Sequence, residues 1–153
     1  MQTMQTIKSQ SIISRLDGIQ NDLGKLEDLG KLSFSLFSQE DNFIKAQFYL
    51  RRALEGVFHI GSHILSRLPG GRATEYKEVA LKLGELGIVD KTFSQTKLKA
   101  MAGYRNRLTH FYADITTEEI HGIIKDNLKD FATFLMSVKK LMKNPEKFNL
   151  QVE

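Results

Sequence analysis

The sequence predicts an all-α protein, an up-and-down bundle of four long helices with one additional short helix. Three observations favour this fold class. Apolar residues recur at spacings of three and four over long blocks, as they do on one face of a helix. Only two prolines occur, Pro69 and Pro145, and neither interrupts a long periodic block. The alternation of apolar and polar residues that is typical of strands is weak throughout the chain.

The first two periodic blocks predict the two longest helices. Residues 11–31 carry a narrow apolar seam, formed by Ile12, Leu16, Ile19, Leu23 and Leu26. Residues 40–67 carry a wider apolar arc, which indicates burial on more than one side. That arc consists of Phe43, Ala46, Leu50, Ala53, Val57, Ile60 and Ile64, widened by Phe48, Leu54, Phe58 and Leu65. The aromatic residues Phe34, Phe37, Phe43 and Phe48 are predicted to be core residues.

Three further helices complete the bundle. Residues 74–87 predict a short helix with one narrow apolar face, lying across the others. Ser94 is predicted to be the N-cap of the next helix, which runs to about Tyr112. Thr116 or Thr117 begins the last helix, which continues to the second proline. Its predicted buried stripe is Ile120, Ile124, Leu128, Phe131, Leu135, Val138 and Met142. The residues beyond are either an ordered extension or a loose tail.

Length and composition predict one ordinary soluble domain. The 153 residues are expected to form a single domain over 1–153, with a core of about 11–143 and short terminal extensions. No apolar run is long enough to span a bilayer, and the first ten residues lack the pattern of a signal peptide. The absence of cysteine fits a reducing compartment, so a cytoplasmic location is expected. A net charge of +4 permits a nucleic-acid partner without requiring one.

One segment concentrates reactive side chains. The stretch GYRNRLTHFYAD places Arg105, Asn106, Arg107, His110 and Tyr112 within eight positions. On an ideal helix, Arg105 lies at the edge of an apolar arc, and Asn106 and His110 lie one turn apart on the adjoining face. That arc consists of Leu98, Met101, Tyr104, Leu108, Phe111 and Tyr112. An arginine and a histidine therefore flank a shallow floor of small residues.

This arrangement suits a phosphate group. Arg105 can offer a planar fork of donors, Asn106 can add a neutral hydrogen bond, and His110 can take or give a proton. These groups would serve RNA cleavage by attack of the 2′-hydroxyl on the adjacent phosphorus, a reaction that requires no metal. The reaction needs both a base and an acid, so two copies of the motif would have to meet in a two-fold dimer. A surface ion pair or an interface patch remains an alternative reading of the same spacing.

The segment RNRLTHFY also fits the pattern arginine, four residues, histidine, one residue, tyrosine. The chain resembles the HEPN superfamily, and specifically the HepT-like toxins. The likeness extends through AQFYLRRALEGVFHIGSHIL, YKEVALKLGELGIVD and LKAMAGYRNRLTHFY, in that order and spacing. It covers nearly the whole domain, from about Ile12 to Met142.

The resemblance implies a homodimeric, metal-independent endoribonuclease that is the toxin of a toxin–antitoxin pair and needs no cofactor. By position, Arg105 and His110 would be catalytic and Asn106 would support them. Tyr112 matches the tyrosine that the antitoxin, a minimal nucleotidyltransferase called MntA, modifies with AMP. The substrate would be RNA, with tRNA loops as one candidate. Arg107 is a second cation within the motif, which either supports RNA binding or is simply solvated.

Two alternatives stand beside this interpretation. Glu55, His59 and His63 are spaced four apart on one helix face and could ligate a metal such as zinc, although polar contacts at an interface explain them as well. His59 also departs from the acidic residue that relatives often carry there. The second alternative is a non-catalytic HEPN module that docks a nucleotidyltransferase and presents Tyr112.

Overall fold

The computed structural model describes residues 4–153, and helices form most of it. Helix α1 (Ser9–Gly30) and helix α3 (Asn42–Leu65) pack along each other and form the centre of the bundle. All five residues of the predicted α1 seam are buried, which confirms that seam. The two helices approach closely at Gly56, where a Cβ atom would lie 2.8 Å from Ile19 Cγ1. The short helix α2 (Phe34–Phe37) lies in the connection between them.

The wide apolar arc of α3 is confirmed over most of its length. Its buried residues are Ala46, Leu50, Ala53, Leu54, Val57, Phe58, Ile60, Ile64 and Leu65. The prediction that Phe34 and Phe48 are core residues is wrong, since their exposed fractions are 40% and 44%. The guanidinium group of Arg52 instead lies over the Phe48 ring, and its Cζ atom is 4.8 Å from the ring centroid. An aromatic ring on an otherwise polar helix face can therefore bind a cation through a cation–π interaction without being part of the core.

The short helix α4 (Tyr76–Glu85) packs on α3, as the apolar face of residues 74–87 predicted. The next helix begins at α5 (Lys91–Phe93), passes through a π-helical turn (Ser94–Leu98) and continues as α6 (Lys99–His110). Its N-cap is Asp90, whose carboxylate accepts a hydrogen bond from the N–H group of Phe93, so the prediction of Ser94 is wrong. Ser94 is buried, and its hydroxyl donates to the carbonyl oxygen of Ala80 at 2.7 Å.

The motif helix ends two residues earlier than predicted. Helix α6 stops at His110, and Tyr112 begins a 3₁₀ turn (Tyr112–Asp114). Phe111 and Tyr112 therefore do not belong to the apolar arc, and their exposed fractions are 60% and 62%. The rest of the arc lies on α5–α6, where Leu98, Met101 and Leu108 are buried.

The last predicted helix is two helices. Thr116 caps α7 (Thr117–Asp126) by accepting from the N–H group of Glu119, as predicted, and α8 (Lys129–Lys143) follows after a break at Asn127. Beyond a 3₁₀ turn (Pro145–Phe148), strand β2 (Leu150–Val152) pairs in parallel with strand β1 (Gln5–Ile7). This small sheet was not predicted, and it makes the C-terminal segment an ordered extension. The architecture is the predicted all-α four-helix bundle, with α1, α3, α5–α6 and α7–α8 as the long members and α4 as the short one.

Within residues 4–153, no helix combines the length and the apolar character that crossing a bilayer would require.

Candidate active site

A cleft of about 600 Å³ opens between the start of α4 and the last two turns of α6. It is lined by Thr74, Glu75, Tyr76, Lys77, Arg105, Asn106, His110 and Phe111. Three of the residues predicted from the motif, Arg105, Asn106 and His110, thus line one concave surface. Arg107 and Tyr112 do not line it. The opposite wall comes from a segment about 30 positions earlier in the chain, at Thr74–Lys77.

The start of α4 is held in place by local hydrogen bonds. Glu78 reaches back from the first turn, and its carboxylate accepts from the backbone N–H group of Thr74 at 3.0 Å and from the Thr74 hydroxyl at 3.2 Å. The backbone hydrogen bond is the main reason why the pKa of Glu78 is lowered. Because these bonds fix Thr74, directly before the N-cap Glu75, the cleft wall has a defined backbone.

Arg105 is held on several sides. Its guanidinium group lies 4.6 Å from the centroid of the Tyr76 ring, Nη2 lies 3.6 Å from Glu55 Oε1, and Nη1 donates to Asn106 Oδ1 at 3.4 Å. The side chain is only 21% exposed. Nε is buried and has no hydrogen-bond partner within residues 4–153. A guanidinium that is stacked, paired and largely buried is oriented before any ligand arrives.

Tyr76 is in turn held by the α3 helix. Its ring stacks on Phe58, with 5.1 Å between centroids and 13° between planes. Its hydroxyl lies 3.5 Å from His59 Nε2, and His59 Nδ1 lies 3.0 Å from Nη1 of Arg15. An arginine can only donate, so Nδ1 accepts, and the proton of the neutral imidazole lies on Nε2 toward Tyr76. Burial and then the charge of Arg15 lower the pKa of His59, which favours this neutral form.

His110 occupies the last position of α6, and its side chain is exposed. Its ring centroid lies 6.5 Å from that of Phe111, with the planes at 74°. Because the helix ends here, the imidazole stands at the mouth of the cleft and is accessible to a ligand that contacts Arg105.

Arg107 points to a different part of the molecule. Its Nη1 donates to Glu119 Oε2 at 2.9 Å, and its guanidinium lies 5.4 Å from the Tyr104 ring centroid. The Tyr104 hydroxyl donates to the same carboxylate oxygen at 2.5 Å, and burial followed by this bond raises the pKa of Tyr104. These contacts join α6 to α7. A supporting role of Arg107 in RNA binding stays a prediction, and the pairing with Glu119 gives it a structural task.

Tyr112 does not line the cleft, although it directly follows the cleft residue Phe111 in the sequence. It opens the 3₁₀ turn directly after Phe111, and its side chain is 62% exposed. A tyrosine so exposed is accessible to a modifying enzyme.

Two of the three possible metal ligands, Glu55 and His59, are engaged in other contacts. Glu55 pairs with Arg105 and, at 3.6 Å, with Arg51. His59 contacts Arg15 and Tyr76. Nε2 of His63 is buried without a hydrogen-bond partner in the described part of the chain, and burial lowers its pKa. Across residues 4–153, no three histidine, aspartate or glutamate side chains come together in a way that could hold a metal ion.

Tyr76 and Lys77 were not predicted from the sequence as site residues. Both belong to the first turn of a short helix that periodicity placed across the bundle and in which no site residue was predicted. The one local signal is an aromatic residue directly after the N-cap Glu75, on the same helix face as Val79 and Leu83. The contact of this ring with Arg105 depends on the packing of α4 on α6, which no local pattern specifies.

Known proteins resemble this chain over nearly its whole length. Residues 19–138, which include every residue that lines the cleft, match the family described as ribonuclease HepT-like. A relative named tRNA nuclease HepT, from Aphanizomenon flos-aquae (strain 2012/KM1/D3), is 26% identical over 148 residues, covering 95% of this chain and 99% of the relative.

A solved structure shares the fold. The crystal structure of a toxin–antitoxin with AMP-PNP contains a chain that superposes with a TM-score of 0.77 at 18% identity, covering 86% of this chain and 98% of that one. The predicted all-α fold class is thereby confirmed, and so is the family resemblance that the motif indicated. The chain belongs to the HepT-like ribonuclease family and is an endoribonuclease, as predicted from the sequence.

Proposed function

We propose that this chain is the ribonuclease toxin of a toxin–antitoxin pair and that it cleaves RNA, with tRNA as the substrate class, in the cleft between α4 and α6. The observation that carries the proposal is the convergence of Arg105, Asn106 and His110 on one surface. Two similarities support it: one relative is named a tRNA nuclease, and the matching solved structure is a toxin–antitoxin.

The chemistry follows from the charges in the cleft. His110 removes the proton of a ribose 2′-hydroxyl, and the oxygen attacks the adjacent phosphorus. The bond from phosphorus to the 5′-oxygen of the next nucleotide breaks, which leaves a 2′,3′-cyclic phosphate and a 5′-hydroxyl end. Arg105 stabilises the negative charge that develops on the phosphoryl oxygens, and its fork geometry suits two of them. Since a side-chain cation supplies this stabilisation, no metal ion is needed.

A homodimer supplies the missing acid. Each chain carries one His110, whereas the leaving 5′-oxygen must be protonated as the 2′-hydroxyl is deprotonated. A two-fold dimer with the ends of both α6 helices facing each other would place a second His110 across the substrate. The exposure of His110, Phe111 and Tyr112 at one end of α6 is consistent with such an arrangement.

The antitoxin of this proposal is an MntA-like minimal nucleotidyltransferase that transfers AMP to Tyr112. The exposure of the Tyr112 side chain supports it as an acceptor. An adenylate at this position would add bulk and negative charge two residues from His110, and it would repel the substrate phosphate.

The proposed chemistry predicts that the purified protein cleaves tRNA in the presence of a chelator. The products should carry 2′,3′-cyclic phosphate and 5′-hydroxyl ends, read by end-labelling before and after phosphatase treatment. A substrate with a 2′-deoxynucleotide at the cleaved bond should be resistant, because the attacking group is missing. Loss of activity in the chelator and its return with Mg²⁺ would contradict the metal-independent mechanism.

Co-expression with the partner nucleotidyltransferase should add the mass of adenylate to the toxin, and peptide mass spectrometry should locate it on Tyr112. The Tyr112→Phe variant should gain no mass and should remain toxic in the presence of the partner. Tyr104 provides the matched comparison, because its hydroxyl is held by Glu119 and should not be modified. An adduct that persists in the Tyr112→Phe protein would refute this acceptor.

A further inference from the structure

Phe111 is a large apolar side chain on the wall of an otherwise polar cleft. It follows His110 directly, lines the same cleft as Arg105, and is 60% exposed. Leaving an aromatic ring in water forfeits the free energy that its burial would provide. An exposed ring at the edge of a cationic site is therefore a candidate contact for a ligand with its own flat apolar surface.

The backbone of Phe111 is fixed although its side chain is exposed. Its N–H group donates to the carbonyl oxygen of Arg107 at 2.8 Å, and its carbonyl oxygen accepts from the N–H group of Asp114 at 3.1 Å. The ring also contacts the His110 imidazole edge to face. Because the backbone is anchored on both sides of the Cα atom, only the side-chain torsions of the ring remain to be ordered when a ligand binds.

The cleft residues nearby have the charge of a nucleotide-binding site. Arg105 and Lys77 are cations on the two walls, and Glu75 is the one acidic residue of the lining. Asn106 and Thr74 add neutral hydrogen-bonding groups. A nucleotide combines an anionic phosphate with a planar base, so the cations and the aromatic ring can be occupied by one ligand. A purely apolar partner would bring no negative charge to Lys77 or to Arg105, whose contact with Glu55 is as long as 3.6 Å, and this favours a nucleotide over an apolar protein surface.

We propose that Phe111 is the stacking platform for an unpaired nucleobase next to the scissile phosphate. This inference rests on the proposed function and adds to it the class of substrate: single-stranded or looped RNA whose base can leave its own stack. Stacking on a benzene ring is available to every base, so Phe111 selects unpaired nucleotides and does not read a particular sequence.

The Phe111→Leu variant, which retains apolar bulk without the flat ring, should bind single-stranded RNA about 5- to 150-fold more weakly. The loss should appear in KM rather than in kcat, since His110 and Arg105 remain. Phe111→Tyr should restore affinity, because the ring is restored. A duplex RNA of the same sequence should bind both proteins equally, since its bases are not available.

The chain contains no tryptophan, so Phe111→Trp introduces a single indole at the proposed platform, which can be excited at wavelengths that tyrosine does not absorb. In a His110→Ala background, which leaves the RNA intact, single-stranded RNA should quench its emission. Met136→Trp is the matched control, because Met136 is 69% exposed on α8 and lines no part of the cleft; its emission should not change.

Unchanged RNA affinity of Phe111→Leu, in a protein whose parent cleaves RNA, would overturn the proposal and leave the proposed function intact. So would emission of the Phe111→Trp protein that single-stranded RNA leaves unchanged, because the ring would then not contact a base. A wild-type protein that neither binds nor cleaves RNA would instead refute the proposed function, and the platform with it.

Discussion

Replacing His110 with alanine is expected to lower the rate of RNA cleavage by about 10²- to 10⁴-fold, which is the usual contribution of a general acid–base residue. Replacing Arg105 with alanine is expected to lower it by about 10²- to 10³-fold, because the charge on the phosphoryl group would lose its fixed cation. Both side chains line the same cleft. Single-turnover cleavage of tRNA, with enzyme in excess, measures both losses without interference from product release.

Arg107 provides a control of the same residue type two positions away. Its guanidinium is paired with Glu119 toward α7, so Arg107→Ala should retain most of the cleavage rate. Its cost in folding stability should be at most about 1 kcal/mol, because the pair is partly exposed. A loss of cleavage as large as that of Arg105→Ala would show that Arg107 supports the reaction, as its place in the motif suggested.

The His110→Ala and Arg105→Ala variants also distinguish an enzyme from a non-catalytic binding module. If the toxin acts by cleavage, His110→Ala should relieve growth arrest while the protein keeps the native elution volume in size-exclusion chromatography. Undiminished growth arrest by His110→Ala would favour the non-catalytic module that docks a nucleotidyltransferase. Full cleavage by Arg105→Ala would contradict the assignment of Arg105 alone.

The surroundings of Arg105 explain why a lysine would be a poor substitute. The guanidinium group lies over the Tyr76 ring and 3.6 Å from a carboxylate oxygen of Glu55. Glu55 belongs to α3, and the Tyr76 ring stacks on Phe58 of the same helix. A lysine is a point charge on a flexible stem and cannot use the flat face of Tyr76 in this way. The cleft thus orients its cation through contacts that involve three helices.

Helical periodicity predicted the bundle because burial in α1 and α3 follows the 3.6-residue repeat over many turns. Every residue of the α1 seam is buried. The predictions for individual residues failed where the same residue type is common in two different structural positions. Ser94 suits an N-cap, but packing beside Gly84 of α4 buries it in a π-helical turn. Phe111 suits an apolar arc, but the helix ends one residue before it.

The candidate site was predictable only on its α6 wall. Arg105, Asn106 and His110 lie within six consecutive positions, so their common surface follows from helical geometry. Tyr76, Lys77 and Glu55 join them through tertiary packing between segments far apart in sequence. The two terminal strands were missed for a similar reason: three residues are too few to show alternation, and their pairing joins opposite ends of the chain.

Replacing Arg52 with methionine is expected to destabilise the fold by about 3 kcal/mol, because it would leave a buried carboxylate without its cation. Asp22 is only 2% exposed at the contact of α1 with α3, and Arg52 donates to both of its oxygens, with Nη2 at 2.6 Å from Oδ1 and Nε at 3.0 Å from Oδ2. Urea denaturation followed by circular dichroism measures the change in the free energy of unfolding.

Replacing the neighbouring Arg51 tests whether burial of the Asp22 carboxylate causes the loss of stability in Arg52→Met. Its partner Glu55 is one turn away on the same helix at 3.6 Å, and both side chains are partly exposed, so Arg51→Met should cost at most about 0.5 kcal/mol. Combining Arg52→Met with Asp22→Leu should recover most of the lost stability, since no charge then remains buried. Equal costs for Arg51→Met and Arg52→Met would mean that water reaches Asp22, and that α1 and α3 are held together by their apolar seam alone.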